Sequence, residues 1–132
     1  MFSIPVSNGE IIDKITILKI KLLKVKDPIK LQNIKKEYEL LIPFLQKINM
    51  SDKDELFIKL YKTNLDLWGW QDWQREKWFE FGKKENFINI ELYFNSQKDY
   101  QLNDKRARIK KEINIKTNSK IVEEKMFTNY SI

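Results

Sequence analysis

The chain contains no cysteine and no histidine. That absence excludes a disulfide scaffold, a thiolate nucleophile, a haem ligand, a His-dependent triad and the common zinc sites. Any chemistry must come from carboxylates, Lys, Arg, Tyr, Ser or Thr. Glycine and proline number 3 each in 132 residues, too few for the many turns of an all-β protein or for a glycine-rich phosphate cradle. Long apolar runs are missing as well, since none reaches the roughly 18 residues that span a bilayer. The opening Met1-Phe2-Ser3-Ile4-Pro5-Val6 has no charged stretch followed by an extended apolar one. These absences lead us to expect a cytoplasmic protein without membrane insertion, without a cofactor and without a metal, because no spacing of its carboxylates specifies one.

What is present points to helices around a single core. Hydrophobic residues make up 42% and charged residues 33%, which suits a solvated globule rather than a disordered chain. A length of 132 residues allows one domain, because halves of that size could not each bury a sufficient core. The net charge of +6 would suggest an anionic partner, yet Lys outnumbers Arg 22 to 3 and Lys, Asn and Ile together supply 51 residues. Phosphate sites favour the bidentate arginine fork, so we read much of this charge as compositional drift. It is also uneven: residues 1–48 carry +4, residues 49–102 carry −2 and residues 103–132 carry +4.

The periodicity predicts a bundle of about five helices that begins with an antiparallel hairpin and ends in a short extended tail. Ser7-Asn8-Gly9-Glu10 fits a capping box and opens a helix reaching about Lys26. Ile11, Ile15, Leu18, Leu22 and Val25 form one packing arc and Ile12, Ile17, Ile20 and Leu23 a second, so this helix packs on two sides. The same segment resembles a cationic amphipathic membrane binder, but its lysines occupy two separate arcs, and core packing is the better reading. Asp27-Pro28 begins a second helix, with Leu31, Ile34, Tyr38, Leu41, Leu45 and Ile48 as its seam and a kink at Pro43 near Glu39. Ser51 opens a third, through Phe57, Leu60, Asn64, Leu67 and Gln71, running to Phe81 with Gly82 as terminator. Residues 85–102 read as a fourth. Asn103 or Asp104 caps a last helix through Lys116.

Two constellations could carry function. Trp68, Trp70, Trp73 and Trp78 fall within eleven residues beside Arg75, a platform on which rings could stack. Core or dimer interface is the commoner use of such helical aromatics, and the surrounding Asp66, Asp72, Glu76, Glu80 and Glu85 would repel a phosphate backbone. The second is Lys105-Arg106-Ala107-Arg108-Ile109-Lys110-Lys111. Leu102, Arg106, Ile109 and Ile113 share one seam, so Arg106 is expected to be partly buried and to need a carboxylate, for which Glu76 or Asp72 is preferred over Asp13. Asn64 on its seam resembles the buried polar residues that fix helix register, or could orient a ligand.

Ile4-Pro5-Val6-Ser7, Gly9-Glu10 and Asp13-Lys14-Ile15-Thr16-Ile17-Leu18 resemble the opening of a family of small bacterial proteins catalogued only as a domain of unknown function. Asn64 with Leu67-Trp68, Asp72, Arg75 and Glu76 is similar to its central helix. Asn103-Asp104, Arg106-Ala107, Ile109-Lys110 and Glu112-Ile113-Asn114, then Ser119 and Ile121-Val122-Glu123-Glu124-Lys125, are similar to its end. Trp70, Trp73 and Asn118 depart from the pattern, the last standing where a glycine is usual. The resemblance implies no activity, but it concentrates on polar helix ends. If those converge, Asp13 and Lys14, Arg75 and Glu76, and Asn103, Arg106 and Lys110 would form one ligand-binding pocket.

Three functional readings follow. The first is a non-catalytic helical binding or adaptor module, expected to be a homodimer, for a partner protein or a small anionic ligand. The alternative is a small helical-bundle enzyme that holds a carboxylate- or phosphate-bearing substrate through Lys and Arg. A nucleic-acid module is third, and we expect only weak, sequence-independent binding that vanishes at moderate salt, since the cations are dispersed and mostly Lys. Retention on DNA with submicromolar, sequence-selective affinity at physiological salt would contradict that expectation.

Overall fold

A helix start leaves backbone amides without partners, and in the first helix each amide of the opening turn finds one. In α1 (Asn8–Lys24) the Glu10 amide donates to the Ser7 hydroxyl, the Gly9 amide to Asn114 Oδ1 and the Asn8 amide to Ser119 Oγ, at 3.0, 2.6 and 2.9 Å. The Ser7 half of the expected capping box therefore forms. The Glu10 carboxylate instead accepts from Lys110, a charge-assisted bond stronger than one to a neutral amide.

The computed structural model describes residues 1–81 and 95–127. Three residues after α1, Asp27 accepts from the amides of Ile29 and Lys30 and starts α2 (Pro28–Leu41). Pro43 breaks this helix outright rather than kinking it near Glu39: helix resumes as α3 (Phe44–Ile48), which ends where Asn49 turns left-handed at φ 61°. The third expected helix begins later than Ser51. The Ser51 amide donates to Asp54 and the Lys53 amide to the Ser51 hydroxyl, a local turn from which α4 (Glu55–Phe81) departs. Gly69 does not interrupt it.

The last helix, α5 (Gln97–Lys116), runs straight through the expected cap at Asn103 and Asp104. The described residues thus hold four helices of 14 to 27 residues, not five, with α3 as a remnant beyond Pro43. The expected terminator Gly82 and residues 85–94 of the expected fourth helix lie outside the described residues.

α1 packs on more than one side, although Leu23 of the expected second arc is 71% exposed. It lies against α2, α3, α4 and α5, and α4 packs on α5. Ile12 and Ile15 meet Leu56, Phe57 and Leu60 of α4 and Ile109 and Ile113 of α5 in one apolar cluster, closed by Ile48 and Met50. Each such buried side chain contributes on the order of 1.5–3 kcal/mol relative to exposure. α2 has no fully buried residue and is the outer element. No described helix is long and apolar enough to cross a membrane.

At the end of α5, Asn118 adopts φ 53°, the left-handed conformation that favours glycine and tolerates asparagine. Residues 119–127 then return along the helix without regular structure. Glu123 pairs with Lys110 at 3.7 Å, Glu124 with Lys111 at 2.8 Å and Lys125 with the buried Asp104 at 2.8 Å, while the Arg108 guanidinium lies 4.2 Å from the Phe127 ring centre.

Gly9 is where α1 and α5 come closest. A Cβ there would lie 2.5 Å from the Lys110 carbonyl oxygen and 2.9 Å from Asn114 Oδ1, whereas at Gly69 nothing stands within 4 Å. Gly9→Ala should destabilise the protein by about 1–3 kcal/mol through overpacking. Gly69→Ala should be neutral or stabilising by up to about 1 kcal/mol. Paired urea unfolding curves check the contrast.

Candidate functional site

Asp13 points inward from α1 and is 1% exposed. A carboxylate removed from water requires both a counter-charge and hydrogen bonds, and two neighbouring helices supply them. From α5, Arg106 Nε donates to Oδ1 at 2.8 Å and its Nη2 to Oδ2, a two-pronged pair. From α4, Asn64 Nδ2 donates to the same Oδ1 at 3.0 Å and to the Thr16 hydroxyl at 2.8 Å. The Thr16 hydroxyl in turn donates to the Asp13 backbone carbonyl at 2.7 Å. Arg106 is therefore partly buried, at 29% side-chain exposure, as its seam position predicts. Its partner is Asp13 rather than Glu76 or Asp72. Glu76 is exposed, and Asp72 faces Arg75 on its own helix at 3.8 Å.

One turn along each helix the pattern repeats in weaker form. Glu10 of α1 accepts from Lys110 of α5 and lies 3.8 Å from Lys14. The Asp13 hydrogen bond raises the Arg106 pKa above the ordinary guanidinium value, with burial opposing it. A raised folded-state value means that the contribution is complete below the unfolded pKa and fades only as pH climbs through the folded one. The pair is thus fully formed throughout the neutral range.

Of the seven expected site residues, Asp13, Arg106 and Lys110 line the α1–α5 contact, with Lys14 reaching it through Glu10. Asn103 donates to the Asp99 carbonyl of its own helix at 2.8 Å. Arg75 and Glu76 do not join. Arg75 stands in a shallow recess with Trp78 and Asp99, and Asp99 lies two turns, roughly 10 Å of helix, before Arg106. Arg75 and Glu76 thus stand apart from the expected site residues that line the α1–α5 contact. Asn114 and Asp104, both buried, are not among the expected site residues: Asp104 reads as a helix cap, and both stand only within the segments that carry the family resemblance.

A second feature lies between α4 and the first half of α5, a trough of about 770 Å³ against Trp70 and Trp73. The two rings stack at 5.1 Å and 23°. Trp70 is 8% exposed, and its Nε1 is the one buried side-chain nitrogen or oxygen among the described residues without a hydrogen-bond partner. Leaving such a donor unsatisfied costs about 1–3 kcal/mol.

Arg106→Ala strands the Asp13 carboxylate in the core and should cost on the order of 3 kcal/mol. Arg108→Ala loses only its contact with Phe127 and should cost under about 1 kcal/mol. Equal effects in denaturant unfolding would show that the buried pair does not carry the stability assigned to it.

No curated protein and no solved structure matches the chain. A family model does, described as a family of unknown function (DUF6165), and the match runs over residues 2–132. The chain belongs to that family.

Proposed function

We propose that this protein is a non-catalytic helical binding module of the cytoplasm that recognises a partner protein or a small anionic ligand. The observation supporting this reading is that the cations of the polar cluster are already matched: Arg106 by Asp13, Lys110 by Glu10 and Glu123, and Lys14 by Glu10. A catalytic Lys or Arg must meet substrate with free donors, and here Arg106 and Lys110 are engaged in holding α5 to α1. The enzyme alternative loses the residues it relied on. Recognition then falls to surfaces outside the cluster.

The module acts as a homodimer in this reading. Trp78 and Phe79, on the last turn of α4, are 61% and 72% exposed, an apolar pair of the kind that marks contact surfaces. Trp70 and Trp73 stack on each other instead, so the dimer contact is assigned to Trp78 and Phe79.

Two measurements test the reading. In a thermal-shift screen, a binding module should show a concentration-dependent rise in apparent stability with at least one anionic compound or partner. Turnover of a carboxylate or phosphate ester by the purified protein, lost in Lys110→Gln, would overturn the non-catalytic assignment. For the dimer, light scattering at high micromolar concentration should give twice the chain mass, and joint Trp78→Ala and Phe79→Ala substitution should halve it with helicity retained. A monomeric parent protein rejects the dimer.

A further inference from the structure

The trough between α4 and α5 has two chemically different walls. On α5, Lys98, Gln101, Leu102 and Lys105 follow the i, i+3, i+4, i+7 spacing of one helix face, and all four border the trough. That spacing sets the two ammonium-bearing positions about 10 Å apart along the axis. Neither lysine has a carboxylate partner among the described residues, and Lys98 rests its ammonium 5.5 Å from the Trp70 ring centre. On α4, Leu65, Gly69 and the stacked Trp70 and Trp73 give an apolar wall. Gly69 leaves a notch in that wall, because nothing stands within 4 Å of where its Cβ would be.

These features define a ligand. The apolar wall and its notch accept a flat ring, which can lie in offset contact with the tryptophan pair. The lysines and Gln101 offer donors to an acidic group. Asp66 borders the trough from the α4 side, so among the described residues the charge facing an occupant is two lysines against one carboxylate. That balance matches a single negative charge rather than a phosphate dianion. A volume of about 770 Å³ lies within the range of small-molecule sites.

We propose that the α4–α5 trough is a binding site for a small aromatic monocarboxylate. The proposal rests on the binding-module reading and names the ligand class of that module.

The test uses the full chain and naphthalene-2-carboxylate as the probe, followed by tryptophan fluorescence and by calorimetry. Saturable binding with a Kd on the order of 0.1 mM is expected for so small a ligand. Naphthalene-2-methanol, which lacks the charge, and cyclohexanecarboxylate, which lacks the aromatic ring, should each bind at least about tenfold more weakly. Lys105→Gln should weaken the probe several-fold. Gly69→Leu, which fills the notch from an open position, should abolish binding and leave the thermal midpoint close to that of the parent. Three results overturn the proposal: no saturation up to about 2 mM probe, binding indifferent to both substitutions, or tighter binding of 2-naphthyl phosphate than of the carboxylate. A failed probe alongside a concentration-dependent thermal shift from a non-aromatic anion or a protein partner removes the trough and keeps the module. Ester turnover removes the module itself.

Discussion

One buried carboxylate organises this bundle. Asp13 sits where α1, α4 and α5 meet, and its negative charge can be tolerated there only if the other two helices deliver Arg106 and Asn64 at the correct height and rotation. Apolar side chains alone would allow helices to slide or rotate at small cost, whereas a two-pronged guanidinium contact does not. The aliphatic cluster supplies most of the driving force for collapse. Asp13 selects one arrangement among the compact ones that this cluster would permit.

Features that depend on local rules were readable from the chain. The Ser7 cap, the two arcs of α1, the seam placing Asn64 beside Leu60 and Leu67, and the inward position of Arg106 all follow from spacing within one helix. What failed depended on relations between helices. The partner of Arg106 is set by how α5 rotates against α1, which no single-helix pattern encodes, so the nearer-looking acids of α4 were preferred to Asp13. Gly9 looked like part of a cap, and its role in letting α1 touch the α5 backbone emerges only with Lys110 and Asn114 in place. Asn103 and Asp104 carry the composition of a helix start, yet Asp104 faces Lys125 and the helix continues through both.

The two halves of α5 do different work. From Arg106 to Asn114 its inward side chains are committed to Asp13, to the apolar cluster and to the α1 amides. From Lys98 to Lys105 the same helix borders an open trough whose lysines have no carboxylate partner among the described residues. A long helix anchored firmly at one end can present side chains at the other without depending on them for stability, so changes in trough chemistry need not compromise the fold. The net charge of +6 is therefore a poor guide to binding, because it counts committed and free lysines alike.

The returning segment after α5 carries its charges in the order minus, minus, plus, against plus, plus, minus on the helix. That order works as an address. A slip by one residue would set Lys125 against a lysine or Glu124 against Asp104, so charge sequence favours one register of the strap. The Lys111–Glu124 link is largely exposed and the Lys110–Glu123 link half-buried, but the third ends on Asp104, which is almost sealed from solvent. A chain cut between Ser119 and Lys125 would keep every helix and still leave that acid without its counter-ion, making the strap a structural part of the domain rather than a trailing end.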